Sequence, residues 1–98
     1  MQDPLKLFSE KDGVLYDSIC NNRQMAFKEG AISSKNKLLI AMALDAVEGS
    51  VSGVRALAAM AMESGATKEE ITEALRITYF ICGVGTIYTA AQALDGLI

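Results

Sequence analysis

Apolar side chains recur at three- and four-residue spacings through two successive stretches in the middle of the chain. The stretches are Leu38–Val47 and Val51–Met62. This spacing places the apolar residues on one side of an α-helix, so the pattern predicts two consecutive helices. A short turn separates them, in which Gly49 can adopt the left-handed conformation that commonly ends a helix. The second helix is therefore expected to begin at Ser50 or Ser52.

A capping box marks the start of a further helix. In the sequence Thr67-Lys68-Glu69-Glu70, the Thr67 hydroxyl can accept from the Glu70 amide while the Glu70 side chain returns to the Thr67 amide. The apolar pattern predicts that this helix continues to Gly83 and Gly85. Two glycines so close together either break a helix or let a neighbouring helix approach closely.

The amino-terminal part of the chain carries a weaker helical pattern. Residues Gly13–Lys28 predict an amphipathic helix, and Ser33 or Ser34 is placed to cap the helix that follows. Residues 1–12 are expected to form a loosely docked segment in which Pro4 can open a short helical turn. The whole pattern predicts one all-α domain over residues 1–98, with five or six helices around a central antiparallel pair.

The first helix of the central pair is expected to be buried on most of its sides. Its apolar residues cover a wide arc and leave a narrow strip that carries Lys37, Ala41, Leu44, Asp45 and Glu48. Asp45 and Glu48 lie one turn apart, so they could bind a cation or exchange protons. The simpler interpretation is the solvated edge of a buried helix, and we expect neither a metal site nor a cofactor.

Composition predicts self-association and argues against some partners. Hydrophobic residues make up 51% of the 98 residues, which is more apolar surface than one small monomer readily hides. The net charge is −3 and the basic residues are dispersed, so a nucleic-acid partner is not expected. We therefore expect a homo-oligomer.

No export signal or membrane span is expected. Residues 1–10 lack the apolar core of a leader peptide. The run Ile77–Leu94 has no charged residue, but polar side chains and glycines interrupt it, so we interpret it as a buried or oligomer-facing helix. Cys20 and Cys82 lack metal or redox spacing, which is typical of a reducing cytoplasm. We expect both to be buried packing residues.

The central stretch resembles the carboxymuconolactone decarboxylase and alkylhydroperoxidase D-like superfamily. The resemblance rests on the sequence Lys35-x-Lys37-x-Leu39-Ile40-Ala41-x-Ala43, on Gly49, and on Ala61-x-x-x-Gly65-Ala66-Thr67-x-Glu69-Glu70-Ile71. It covers residues 30–94 and implies an all-α fold assembled into a trimer or hexamer. It also favours a helix break near Gly83, with a last helix from about Val84 to Leu94.

The resemblance implies a redox site that this chain does not carry. Redox-active relatives have a Glu, a Cys-x-x-Cys pair and a His at positions that correspond here to Leu38, Ser50, Gly53 and Leu57. A peroxidase of this type needs an activated thiolate and a resolving thiol. A serine hydroxyl needs a general base, and the chain has no histidine. We therefore expect the scaffold without the disulfide chemistry.

The sequence is compatible with three functions. The first is a non-redox protein that either binds a small apolar or carboxylate ligand or serves as an oligomeric subunit. The second is a decarboxylase-like enzyme acting on a small cyclic carboxylate or lactone. The third is a residual peroxidase that uses Cys20 or Cys82.

Ser50, Gly53 and Leu57 project from one face of the second central helix. This face either packs solidly, which we favour, or leaves an apolar niche beside Leu38. Arg55, Arg76 or a tyrosine could contact a carboxylate, because a tyrosine hydroxyl can donate to a developing oxyanion. Tyr16, Tyr79 and Tyr88 are also explained as residues at the edge of the core. The pocket candidates are Leu38, Ser50, Gly53, Leu57, Tyr79 and Tyr88.

Overall fold

The computed structural model describes residues 3–98 and contains six helices within them. They are α1 (Lys6–Lys11), α2 (Gly13–Phe27), α3 (Ser34–Glu48), α4 (Val51–Glu63), α5 (Lys68–Cys82) and α6 (Gly85–Leu94). The expectation of an all-α fold is confirmed. No helix in this part of the chain combines the length and the hydropathy needed to cross a bilayer.

Helices α3 and α4 form the centre of the molecule. Gly49 ends α3 with a φ of 77°, and Ser50 caps α4 by accepting a hydrogen bond from the Gly53 amide at 3.3 Å. Because only these two residues join the helices, α4 folds back along α3 and makes the most extensive helix contact in the structure. Both the left-handed glycine and the cap at Ser50 agree with the sequence-based prediction.

Helices α5 and α6 close the core against the central pair. The buried cluster draws residues from all four helices: Met42, Ala46, Val54, Ala58, Ile71, Leu75, Ala90, Ala93 and Leu94. The predicted capping box at Thr67 and Glu70 is present at the start of α5. Gly83 has a φ of 91° and separates α5 from α6, which confirms the predicted break.

Helix α3 is less buried than its sequence predicts. Its buried residues are Leu38, Met42 and Ala46, whereas Ile40, Leu44 and Val47 are exposed. The expectation of a helix buried on most sides is therefore wrong for the isolated chain. Its apolar arc is wider than the surface that α4, α5 and α6 of the same chain can cover.

Helices α1 and α2 pack mainly against each other and sit loosely on the body. Helix α2 forms where the sequence predicts it, but neither helix buries a residue. The segment predicted to be loosely docked contains Pro4, which precedes α1 as expected. Residues 1 and 2 of this segment lie outside the described residues. Short helices gain most of their stability from tertiary packing, so this pair depends on contacts that the core does not supply.

The Glu70 side chain joins the start of α5 to the start of α3. Lys35 Nζ donates to Glu70 Oε2 at 2.8 Å, and the Thr67 amide donates to Glu70 Oε1 at 2.9 Å. Both hydrogen bonds favour the carboxylate, so Lys35 first and the Thr67 amide second hold the pKa of Glu70 below its usual value. This ion pair is partly exposed to solvent.

We predict that the Glu70 charge contributes a pH-dependent part of the stability. A lowered folded-state pKa stabilises the fold above the unfolded value of about 4.3, and the contribution disappears as pH falls through the folded-state pKa. Glu70→Gln keeps the capping hydrogen bond but removes the charge. It should lower the Tm measured by circular dichroism at neutral pH, and the difference should vanish in acid. Glu73→Gln on the same helix is the control; an equal Tm loss for Glu70→Gln at both pH values would contradict the prediction.

Candidate functional site

The four positions that the resemblance assigns to the redox residues separate into two groups. Leu38 is 7% exposed and packs with Ala61 and Ala66, and Leu57 lies against this small cluster. Ser50 and Gly53 lie at the other end of α4, in its first turn. The structure therefore brings Leu38 and Leu57 together but does not join all four positions in one cavity.

Leu38 and Leu57 line an open groove of about 860 Å³ between α2 and the central helix pair. We call it the α2/α4 groove. Its lining comprises Asp3, Pro4, Arg23, Gln24, Phe27, Lys28, Ser34, Leu38, Ala56, Leu57 and Met60. The favoured expectation of solid packing is wrong at this end of α4, because α2 crosses the central pair with few contacts and Ala56 is too small to fill the space.

The α2/α4 groove combines an apolar floor with a mainly basic edge. Phe27, Leu38 and Leu57 form the floor, while Arg23 and Lys28 lie at the edge. A second lysine reinforces the edge, since Lys37 Nζ donates to the backbone carbonyl of Lys28 at 2.5 Å. An apolar cavity with a few converging charged groups is the usual form of a site for a small organic anion.

Sequence reasoning named Leu38 and Leu57 and left open an apolar niche beside Leu38, but it missed the side of the groove that α2 supplies. Arg23 and Phe27 lie four residues apart on α2, so one face of that helix carries both a cation and an aromatic ring. That spacing was the available signal. The approach of this face to Leu38 and Leu57 is a tertiary contact, which periodicity along the chain does not reveal.

At the start of α4, Gly53 makes room for the Asp45 carboxylate. A Cβ atom at Gly53 would overlap Asp45 Oδ2 and would lie 2.6 Å from Ser50 Oγ. Ser50 Oγ instead accepts from the Gly53 amide, and no hydrogen bond links Ser50 to the Asp45 carboxylate within the described residues. Ser50 therefore acts as a helix cap and lacks the paired base that a nucleophilic hydroxyl requires.

The acidic residues do not form a metal site in this structure. Across residues 3–98, no group of three His, Cys, Asp or Glu side chains is arranged to hold an ion. Asp45 faces the first turn of α4, whereas Glu48 is exposed near the end of α3. A cation bound by protein oxygens generally needs more ligands than one carboxylate supplies.

Two tyrosines predicted as pocket residues lie elsewhere. Tyr79 lines a separate groove of about 440 Å³ together with Arg76, between α5 and the start of α6. Tyr88 is exposed on α6. Neither tyrosine lines the α2/α4 groove, and the role of Tyr79 and Tyr88 as pocket residues stays a prediction.

The Arg55 guanidinium is bound by backbone carbonyl groups at the end of α6. Its Nη1 atom donates to the carbonyl oxygens of Ala93 at 3.0 Å and Asp95 at 2.9 Å. These carbonyls end α6, and a cation there complements the negative end of the helix dipole. Arg55 therefore anchors α6 to α4 rather than facing a ligand groove.

The two cysteines differ in exposure. Cys20 is half-buried on α2, but Cys82 is exposed as the last residue of α5, so the expectation of burial is wrong for Cys82. This placement differs from the helix amino termini where reactive thiolates are stabilised.

Comparison with known proteins agrees with this architecture. The family model described as the carboxymuconolactone decarboxylase family matches residues 14–96. The chain belongs to the carboxymuconolactone decarboxylase family. Among solved structures, it is similar to apo-lpg0406, a carboxymuconolactone decarboxylase family protein from Legionella pneumophila. The two share 30% sequence identity and a TM-score of 0.86, over 93% of this chain and 81% of that chain. No curated protein gave a match.

We predict that the geometry around Gly53 couples it energetically to Asp45. Gly53→Ala adds helix propensity, about 1 kcal/mol in an open helix, but displaces the Asp45 carboxylate and disturbs the Ser50 cap. It should destabilise the family member by about 1 kcal/mol in urea unfolding. In an Asp45→Ala background the same change should be clearly less harmful.

The control is Gly85→Ala, because a Cβ atom at Gly85 meets nothing within 4 Å. This substitution should not couple to Asp45→Ala. If the effects of Gly53→Ala and Asp45→Ala add to within about 0.3 kcal/mol, the proposed crowding at Gly53 is wrong.

Proposed function

We propose that this carboxymuconolactone decarboxylase family member is a non-redox protein that binds a small apolar carboxylate in the α2/α4 groove. We further propose that it acts as a subunit of a homo-oligomer, a trimer or a hexamer. The observation that carries the ligand proposal is the pair of cations, Arg23 and Lys28, at the edge of an apolar floor. The proposal assigns binding and no catalytic step.

The residues at the redox-equivalent positions support a non-redox role. Leu38 belongs to an apolar cluster and cannot exchange a proton. Ser50 is engaged in capping α4, and Gly53 has no side chain. Thiol chemistry of the family type needs two cysteines near one another and a base. Here Cys20 and Cys82 belong to α2 and α5 instead.

The size and chemistry of the α2/α4 groove support a ligand of moderate size. A volume of about 860 Å³ lies within the range of about 300–1,000 Å³ found for small-molecule sites. The floor of Phe27, Leu38 and Leu57 suits a ring or short aliphatic body. Arginine pairs with a carboxylate through two parallel hydrogen bonds, which makes Arg23 the expected anchor.

Benzoate is a suitable probe, because it joins an apolar ring to a single carboxylate. We predict that it binds at the α2/α4 groove and that Arg23→Gln weakens binding about threefold to tenfold, since the edge is partly open to solvent. Ala56→Leu should also weaken benzoate binding, because the larger side chain fills part of the groove. Two-dimensional NMR titration measures both the affinity and the location of the site.

Two control variants and a second probe sharpen this test. Arg76→Gln removes a cation from the α5/α6 groove, and Ala26→Leu adds the same bulk on α2 outside the lining. Neither should change benzoate binding. Benzamide has the same ring without the charge and should bind more weakly. If benzamide matches benzoate, or if Ala56→Leu leaves binding unchanged, the proposed site is wrong.

A further inference from the structure

The α5/α6 groove combines polar side chains with an apolar floor. It has a volume of about 440 Å³ and is lined by Thr72, Leu75, Arg76, Tyr79, Val84 and Ile87. Spacings of four and three residues align Thr72, Arg76 and Tyr79 along one side of α5. The floor comes from Leu75 and from the first residues at α6. The groove therefore presents a cation and a phenol beside apolar surface.

A second groove continues from the first along α6. It has a volume of about 650 Å³ and is lined by Leu75, Ile87, Ala90, Ala91, Gln92, Leu94, Asp95 and Ile98. We call it the α6 groove. Leu75 and Ile87 line both grooves, so the two meet at these side chains. The α6 groove follows a helix of ten residues, which is about 15 Å long.

The Arg76 guanidinium is available to a ligand. Its side chain takes part in no hydrogen bond or salt bridge with residues 3–98, whereas the Arg55 guanidinium is held by two backbone carbonyls. Tyr79 is 53% exposed, and its hydroxyl is also free of hydrogen bonds within this range. The Thr72 hydroxyl already donates to the Glu69 carbonyl at 2.9 Å. Arg76 and Tyr79 are therefore the two donors that a ligand can use.

The charges along the joined grooves differ between the two ends. Arg76 is the one charged residue that lines the described part of the α5/α6 groove, and Asp95 is its counterpart in the α6 groove. An anionic group is attracted to Arg76 and repelled by Asp95. A ligand with one carboxylate and a long apolar body is therefore favoured in a single orientation.

We infer that the α5/α6 and α6 grooves together bind one medium-chain fatty acid. Its carboxylate pairs with Arg76, and its chain passes Ile87 and runs along α6 towards Leu94. Arginine donates two parallel hydrogen bonds to a carboxylate, and the Tyr79 hydroxyl can donate another. The two grooves share no lining residue with the α2/α4 groove, so this inference does not rest on the proposed function.

The length of the joined grooves favours a long chain over a compact acid. Both grooves are open on one side, so affinity depends on how much apolar surface the ligand covers in total. Benzoate reaches only the α5/α6 groove and covers little of its floor. A fatty acid also covers Leu75, Ile87 and the small side chains of Ala90 and Ala91. Each further CH₂ group that it places on this surface adds to the affinity.

The first test is a series of straight-chain acids from hexanoate to decanoate. Calorimetric titration of the full chain, below the concentration at which each acid forms micelles, measures affinity. Each added CH₂ group should tighten binding about twofold to fourfold. Decyltrimethylammonium has a chain of the same length with the opposite charge and should bind more weakly than decanoate. Equal binding of these two ligands would show general detergent-like adsorption and would overturn the inference.

Paired variants test the two ends of the site. Arg76→Gln should weaken decanoate binding about threefold to tenfold, while Lys68→Gln removes a cation from α5 outside both grooves and should not. Ala91→Leu fills part of the α6 groove at an exposed position. It should abolish most of the gain from hexanoate to decanoate and leave hexanoate binding unchanged. Ala26→Leu adds the same bulk on α2 and should preserve the gain.

Two-dimensional NMR locates the acid, and circular dichroism checks that every variant is folded. If Arg76→Gln and Lys68→Gln behave alike, or if Ala91→Leu preserves the full gain with chain length, the proposed site is wrong. Decanoate that displaces benzoate and shifts resonances around Arg23 instead of Arg76 occupies the α2/α4 groove, which also overturns it. Benzoate binding to that groove is measured separately, so either proposal can fail without the other.

Discussion

The close contact between α3 and α4 is the constraint on which the rest of the molecule depends. Two residues, Gly49 and Ser50, reverse the chain, and the small buried side chains Ala46 and Ala58 let the two helices approach. Glycine is needed at the turn because its φ is positive, a region that residues with a Cβ atom rarely enter. The same reversal places Leu38 beside Leu57, and so it also creates one side of the candidate site.

Local features of the fold were predictable from the sequence, because each depends on neighbours within one helical turn. The cap at Ser50, the capping box at Thr67 and the break after Cys82 are all set by nearby hydrogen-bond donors, acceptors and glycines. Their energies are local, so spacing along the chain is sufficient to identify them. The family resemblance placed these elements in one fold.

Features that depend on which helices meet were not predictable in the same way. The arc of α3 that carries Ile40 and Val47 is apolar, and an apolar arc predicts burial without saying which partner covers it. Cys82 follows the same logic, since the groove between α3 and α5 that it lines is open in a single chain. The α2 side of the α2/α4 groove was not predicted, because Arg23 and Leu57 are distant in sequence and come together only where α2 lies against the central pair.

Helix α3 contributes residues to two different surfaces. It contributes Leu38 to the α2/α4 groove and Leu44 to an exposed apolar groove between α3 and α5, on different sides of one helix. A packed helix moves as a rigid unit, so a second copy held against Leu44 would also restrain the position of Leu38. Restraint alone does not couple ligand binding to assembly. Coupling arises only if the two sites favour the same position of α3, because a ligand shifts an equilibrium by no more than its difference in affinity for the two states.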